Sequence, residues 1–122
     1  MSGVRYSRKM DGERRLDTLT TIGENAFFDC KSLVTVTLGS SLKTISMHAF
    51  YQSKQLEKIT IPAGVTSIGV WAFHNCFELG HIKYEGTVAE LSAAVKTNYL
   101  GDYIPNYVTC SDGSFKLPPR PF

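Results

Sequence analysis

Ile22-Gly23-Glu24-Asn25-Ala26-Phe27-Phe28-Asp29-Cys30 returns 23 residues later as Ile45-Ser46-Met47-His48-Ala49-Phe50-Tyr51-Gln52-Ser53. It returns again as Ile68-Gly69-Val70-Trp71-Ala72-Phe73-His74-Asn75-Cys76. A fixed period in the twenties marks a stacked solenoid, in which each repeat is one coil and touches only its neighbours. At the same period Leu33-x-x-Val36-x-Leu38 falls on Leu56-x-x-Ile59-x-Ile61 and then on Leu79-x-x-Ile82-x-Tyr84. Their alternation predicts a short strand per coil with its apolar members turned inward. A second apolar pair opens each coil (Leu19/Ile22, Leu42/Ile45, Val65/Ile68), and Gly39, Pro62 and Gly64 break the chain between the two pieces. Ala26-Phe27, Ala49-Phe50 and Ala72-Phe73 supply one small and one large interior residue per coil. A single coil buries too little to offset the entropy of ordering it, so the coils must stack to fold.

The Leu-x-x-Val-x-Leu strand is the leucine-rich repeat signature. Together with the Ile-Gly-x-x-Ala-Phe-x-x-Cys turn, it resembles the BspA-like (Treponema pallidum-type) leucine-rich repeats of bacterial and protist proteins, over Leu19 to about Gly113. The resemblance implies cell-surface or secreted proteins that bind other proteins, host surfaces or other bacteria. One departure from the more familiar leucine-rich pattern is that the Cys30/Ser53/Cys76 position precedes the strand, where an Asn ladder would follow it. Ser46 also stands where residues 23 and 69 are Gly, so this turn does not strictly require positive φ. The expected fold is mixed but mainly β. It is a short leucine-rich-repeat solenoid of about three 23-residue repeats with parallel strands, closed by a C-terminal helix-plus-strand cap.

The chain then divides into four parts. Residues 1–18 form a basic N-terminal segment or cap, residues 19–86 the repeats, residues 87–113 the C-terminal cap and residues 114–122 an extended tail. Thr87-Val88-Ala89-Glu90 is a capping box, and Val88, Leu91, Ala94 and Val95 fall on one helical face. Tyr107-Val108-Thr109-Cys110 reads as a final strand ended by Ser111-Asp112-Gly113. The pair Tyr84-Glu85-Gly86-Thr87 and Cys110-Ser111-Asp112-Gly113 is similar to the C-terminal cap of gut-bacterial members of the family, many of which carry Trp where this chain has Leu91. At the other end Val4-Arg5-Tyr6 is the expected capping strand, because a strict 23-residue period would set Glu13 and Arg15 at core positions. Residues 1–15 lack the apolar core of a secretory signal. The chain is therefore read as either cytoplasmic or a piece of an exported protein. No apolar stretch approaches the length of a spanning helix, which argues against membrane insertion.

Little in the chain points to catalysis. His48, His74 and His81 occupy different coil positions without a metal-ligand spacing, and are expected as exposed, solitary side chains. Phosphate loops, dinucleotide fingerprints and nucleophile elbows are missing, so the chain is read as a non-enzyme that needs no cofactor. Cys30 and Cys76 sit two coils apart, about 9–10 Å at strand spacing, which exceeds the roughly 7 Å reach of a disulfide. Both read as buried free thiols, while for Cys110 a cap residue and a reactive thiol stand open. Arg5, Arg8, Lys9, Arg14 and Arg15 form a local basic excess, but the net charge is only +2. That balance favours a solvated arm over a nucleic-acid contact.

The positions between the core residues carry aromatics. If the coils stack in register, Phe28, Tyr51 and His74 form one ladder, and Asn25, His48 and Trp71 form another. Met47 and Val70 lie beside the second ladder and Phe77 adds a further ring. Contiguous Trp, Tyr, Phe and Met are the usual anchors of protein interfaces, although the same rings can instead tuck against neighbouring coils. The other strand face carries Thr35, Thr37, Lys58, Thr60, His81 and Lys83 and reads as a plain, mildly basic sheet surface. The function expected is therefore recognition of another protein by a surface adhesin-type module. The alternatives are a small cytoplasmic inhibitor, phage- or mobile-element-encoded, that occludes a host enzyme, and self-association through the aromatic stripe.

Overall fold

Strict alternation of apolar and polar residues decides the strands, and the turn residues decide where the chain bends back. The computed structural model describes residues 13–16 and 19–120. In chain order its elements are β1 (Glu13–Leu16), β2 (Thr21–Ile22), β3 (Thr35–Leu38), β4 (Thr44–Ile45), β5 (Lys58–Ile61), β6 (Ser67–Ile68), β7 (His81–Tyr84), α1 (Val88–Val95), β8 (Tyr107–Cys110) and β9 (Gly113–Lys116). The long strands form one sheet in the order β1-β3-β5-β7-β8-β9, and β2-β4-β6 form a second. Pairing between coils is parallel, and the register of Thr35 on Lys58 and Lys58 on His81 repeats the 23-residue period. The result is a mainly β solenoid of about four turns.

The core lies between the two sheets. Phe27, Phe50 and Phe73 are fully buried, and their rings stack at 4.9 Å and 5.4 Å with interplanar angles of 2° and 13°. Next to them the Cys/Ser column does more than fill space. Ser53 Oγ donates to the Phe27 carbonyl at 2.5 Å, and Cys76 Sγ donates to the Phe50 carbonyl at 3.1 Å. Each hydroxyl or thiol thus satisfies a buried carbonyl of the coil before it. All three cysteines are buried thiols. Tyr84 replaces the aliphatic strand residue of earlier coils, and its hydroxyl shares its one proton between the Ala63 and Val65 carbonyls at 3.1 and 3.2 Å.

Gly69 is required by close approach. Its φ is not positive, but a Cβ there would sit 2.3 Å from the Met47 backbone nitrogen of the preceding coil. At the C-terminal end Thr87 and Glu90 form the expected capping box, Thr87 Oγ1 accepting from the Glu90 amide at 3.1 Å and Glu90 Oε1 from the Thr87 amide at 2.9 Å. Asp112 Oδ1 accepts from the Val88 amide at 2.8 Å, and the Gly86 carbonyl accepts from the Ser111 amide at 2.9 Å. These bonds explain why Glu85-Gly86-Thr87 and Ser111-Asp112-Gly113 occur together: one tripeptide caps the helix that the other begins. Leu91, Ala94 and Val95 press the helix onto the coils.

Three expectations change. The N-terminal strand lies at Glu13–Leu16, inside the segment read as an arm. Glu13 pairs with Thr35 and Leu16 with Leu38, a step of 22 residues, so Arg14 and Leu16 stand beside Val36 and Leu38. The strict 23-residue period hid this strand; Val4-Arg5-Tyr6 lies outside the described residues. At the other end Tyr107–Cys110 is not the last strand, and the tail is not structureless where it begins. Gly113–Lys116 folds back antiparallel on β8, Leu117 is buried, and Arg120 pairs with Asp102 at 2.9 Å. Gly113, at φ 152°, makes the reversal. Finally, His74 is buried, as described next.

Candidate functional site

The turns between the short and long strands of each coil build one continuous face. In every coil two turn residues take left-handed backbone angles. They are Asn25, His48 and Trp71 at φ 57–58°, and Asp29, Gln52 and Asn75 at φ 54–63°. Asn and Asp occupy such angles readily and His tolerates them, whereas a bulky residue does so at a cost of about 1–2 kcal/mol. Trp71 is therefore the strained member of its column. The turn amides reach across to the next coil: Asp29 N–H donates to the Tyr51 carbonyl and Gln52 N–H to the His74 carbonyl, both at 2.8 Å. That pitch brings the intervening side chains into contact.

Phe28 stacks on Tyr51 at 5.4 Å and Tyr51 on His74 at 5.3 Å, nearly parallel at 11° and 12°. Trp71 stacks on His74 at 4.4 Å and on Tyr51 at 6.1 Å, and meets His48 edge-on at 5.8 Å. His48 in turn leans on Tyr51 at 5.3 Å. Phe28, His48, Tyr51, Val70 and Trp71 are half-buried, while Met47 and Phe77 remain 39% and 48% exposed. The two expected ladders merge into one stripe, because the ring of His74 lies between columns and joins them. Phe77 stands apart from this stack and pairs with Tyr103 at 5.1 Å.

His74 is not an exposed solitary histidine: it is 8% exposed, and its Nδ1 accepts from the Asp102 amide at 3.0 Å. What buries it is a closing coil that sequence reasoning missed. Trp71, Phe73 and Asn75 donate their amides to the carbonyls of Tyr99, Leu100 and Asp102 at 2.7, 3.0 and 3.3 Å. Residues 99–103 thereby take the place of the next turn. Between coils such bonds step 22 residues (29 to 51, 52 to 74), but here the step is 27 (75 to 102), because α1 is inserted. Tyr103 even adopts the left-handed angle of the Asn75 column, at φ 63°, and at 70% exposure it is the most exposed aromatic among the described residues. The only sequence signal was Leu100-Gly101, where Gly101 meets the His74 backbone so closely that a Cβ would lie 2.4 Å from its Cα.

Burial also perturbs two thiols. Burial pushes the Cys76 thiol up to about 12, so it is a hydrogen-bond donor and not a nucleophile. Burial also raises Cys110, as does, more weakly, Asp112. His81 lies on the sheet face, where its Nε2 meets Thr109 Oγ1 at 3.3 Å, on a different element from His74. Among the described residues no group of three or more His, Cys, Asp or Glu side chains is placed to hold a metal, and no helix is long and apolar enough to cross a membrane. The sheet face holds a shallow groove of about 480 Å³ bordered by Thr35, Thr37, Lys58, Thr60 and Glu85.

Parallel strands stepping at one residue period, with a turn-borne aromatic face, define a leucine-rich repeat solenoid. A family model described as a BspA-type leucine-rich repeat region matches residues 13–99 in six copies, and the chain belongs to that family. A leucine-rich repeat protein from Eubacterium ventriosum is 31% identical with a TM-score of 0.66; the match covers 79% of this chain and 25% of that one. A leucine-rich cell surface protein from Faecalibacterium prausnitzii is 23% identical with a TM-score of 0.38, over 73% of this chain and 36% of that one. This chain thus spans about a quarter of the length of the first of these structures. None of the curated proteins compared matches. Leucine-rich repeat modules in general bind proteins and are generally not enzymes.

Proposed function

We propose that this chain is a non-enzymatic protein-recognition module of the surface-adhesin type, and that Tyr51 and Trp71 form the centre of its contact. The observation that carries this reading is Trp71: a bulky ring held at φ 57° and half-buried in a column where Asn25 would be the low-cost choice. Strain retained at one position points to a role beyond folding. Around it, Met47, Val70 and Phe28 extend the apolar surface along the coils. Phe77 and Tyr103 supply a second exposed pair nearer the C-terminal end. Rings already stacked on one another lose little conformational freedom when a partner covers them, which suits a protein contact.

The test is affinity capture from the source organism's surroundings, followed by titration of the captured partner with the Tyr51→Ala/Trp71→Ala variant. Two hot-spot residues of about 2 kcal/mol each predict binding weakened by at least about 100-fold. Unaltered binding by a folded double variant removes Tyr51 and Trp71 from the contact.

A further inference from the structure

The closing coil rests on the face of one histidine. His74 Nδ1 accepts a hydrogen bond from the Asp102 amide, so it carries no proton and the ring is the neutral tautomer with its proton on Nε2. Gly101 lies directly against the His74 backbone, and the amides of Trp71, Phe73 and Asn75 are satisfied by the same 99–102 segment. Several titratable groups face this ring. Asp102 belongs to the closing coil, Arg120 to the chain after β9, and His48 and Tyr51 to the preceding coil. The Asp102 carboxylate is oriented by a donor at each oxygen, Oδ1 accepting from the Tyr99 hydroxyl and Oδ2 from Arg120 at 2.9 Å, while its backbone amide is what meets the imidazole.

We propose that His74 is a pH-sensitive latch for the closing coil: the neutral ring holds residues 99–103 on the Trp71 coil, and protonation releases them. An imidazolium would set an N–H at Nδ1 against the Asp102 N–H, two donors facing each other, and leave that amide without its acceptor. The face of Trp71 can stabilise a cationic ring, but it offers no acceptor to either N–H. Burial lowers the His74 pKa below its ordinary 6.5. The Asp102 carboxylate offsets part of this, and Arg120 and His48 add to the lowering. The sign follows: the latch is whole above pH 6.5 and is lost as the pH falls through the lowered folded-state value. Because His74 stacks on both Tyr51 and Trp71, release alters the very stripe assigned to partner binding. That regulatory consequence, though not the latch itself, rests on the function proposed above.

The protein alone suffices for the test. In a titration from pH 8 to 4.5 followed by NMR, the His74 ring nitrogens and the Asp102 amide shift together, with one midpoint below 6.5. Amide exchange at Trp71, Phe73 and Asn75, corrected for its intrinsic rate, quickens at least tenfold on the acid side. Trp71 is the single tryptophan, so its emission changes at the same midpoint. His74→Phe keeps a stacking ring without the acceptor and abolishes that transition, whereas His48→Gln leaves it in place. An Asp102 amide indifferent to His74 protonation overturns the latch, as does a Trp71 transition that survives in His74→Phe. Should His74→Phe fail to fold, the wild-type NMR titration decides by itself. With no partner in the tube, a failed latch leaves the recognition reading standing, and a failed Tyr51/Trp71 binding test leaves the latch standing.

Discussion

Two ladders of rings run side by side through this solenoid, one residue apart in the chain. Phe27, Phe50 and Phe73 stack inside at 4.9 and 5.4 Å; Phe28, Tyr51 and His74 stack outside at 5.4 and 5.3 Å. The pitch is the same because the same backbone sets both. What differs is solvent. The inner ladder is fully buried and is Phe in all three repeats, since a close-packed interior admits one shape. The outer ladder is half-buried over two coils and changes residue each time, and beside it His48 and Trp71 accept left-handed backbone angles. Regular stacking is thus a product of the coil, and departures from the low-cost residue are what the proposed recognition face rests on.

The sharpest way to break this contrast is to truncate neighbours. Phe50→Ala should destabilise by about 3–5 kcal/mol, the loss of a fully buried ring and the cavity it leaves. Tyr51→Ala should cost about 1 kcal/mol, the scale of a half-exposed aromatic pair. Denaturant midpoints of the two variants measure the gap, and equal losses would mean that the outer ladder is core. Gly69→Ala comes next, at about 1–3 kcal/mol, because its methyl group must displace the Met47 backbone; the change in thermal midpoint reads it directly.

Chemistry in the interior column sharpens the comparison further. The folded-state pKa of Cys76 is raised above its ordinary 9.0, to about 12. Its contribution is therefore complete below pH 9 and is lost as the pH climbs toward 12. Between pH 8 and 10.5 wild type should lose about 2 kcal/mol more stability than Cys76→Ser, whose hydroxyl does not ionise there. Parallel losses would place the thiol in contact with water. The smallest effect is expected at the strained ring. Trp71→Asn relieves the φ 57° angle while losing two stacked contacts, terms of about 1–2 and 0.5–1.5 kcal/mol that oppose one another. Stability should stay within about 1 kcal/mol of wild type while partner binding falls. A large loss of stability would make Trp71 a structural residue.

Most of the solenoid was legible because its signal is repetition. Ile22, Ala26, Phe27, Cys30, Leu33, Val36 and Leu38 recur as like residues at one period, and all of them are buried. The capping box was legible because Thr87 and Glu90 act over three residues, a distance at which sequence and space coincide. β1 was missed because a one-residue shortening of the period flips the alternation that identifies a strand. β9 was missed because Gly113-Ser114-Phe115-Lys116 has no apolar alternation; its pairing with β8 comes from the reversal at Gly113. The candidate stripe was legible as a set of residues, but not its order. Nothing local says that His74 would be covered by Asp102, 28 positions away.

The repeat alone determined the register of its three units and the identity of the interior ladder, because each depends only on a period and on which residues avoid water. Tertiary structure alone decided how the array ends and which members of the stripe stay open. Residues 99–103 become a coil by borrowing the backbone donors of Trp71, Phe73 and Asn75, after a helix has carried the chain across the end of the stack. That replacement depends on backbone hydrogen bonds, whose carbonyl acceptors every residue carries, and so apart from Gly101 it left almost no trace in the order of residues.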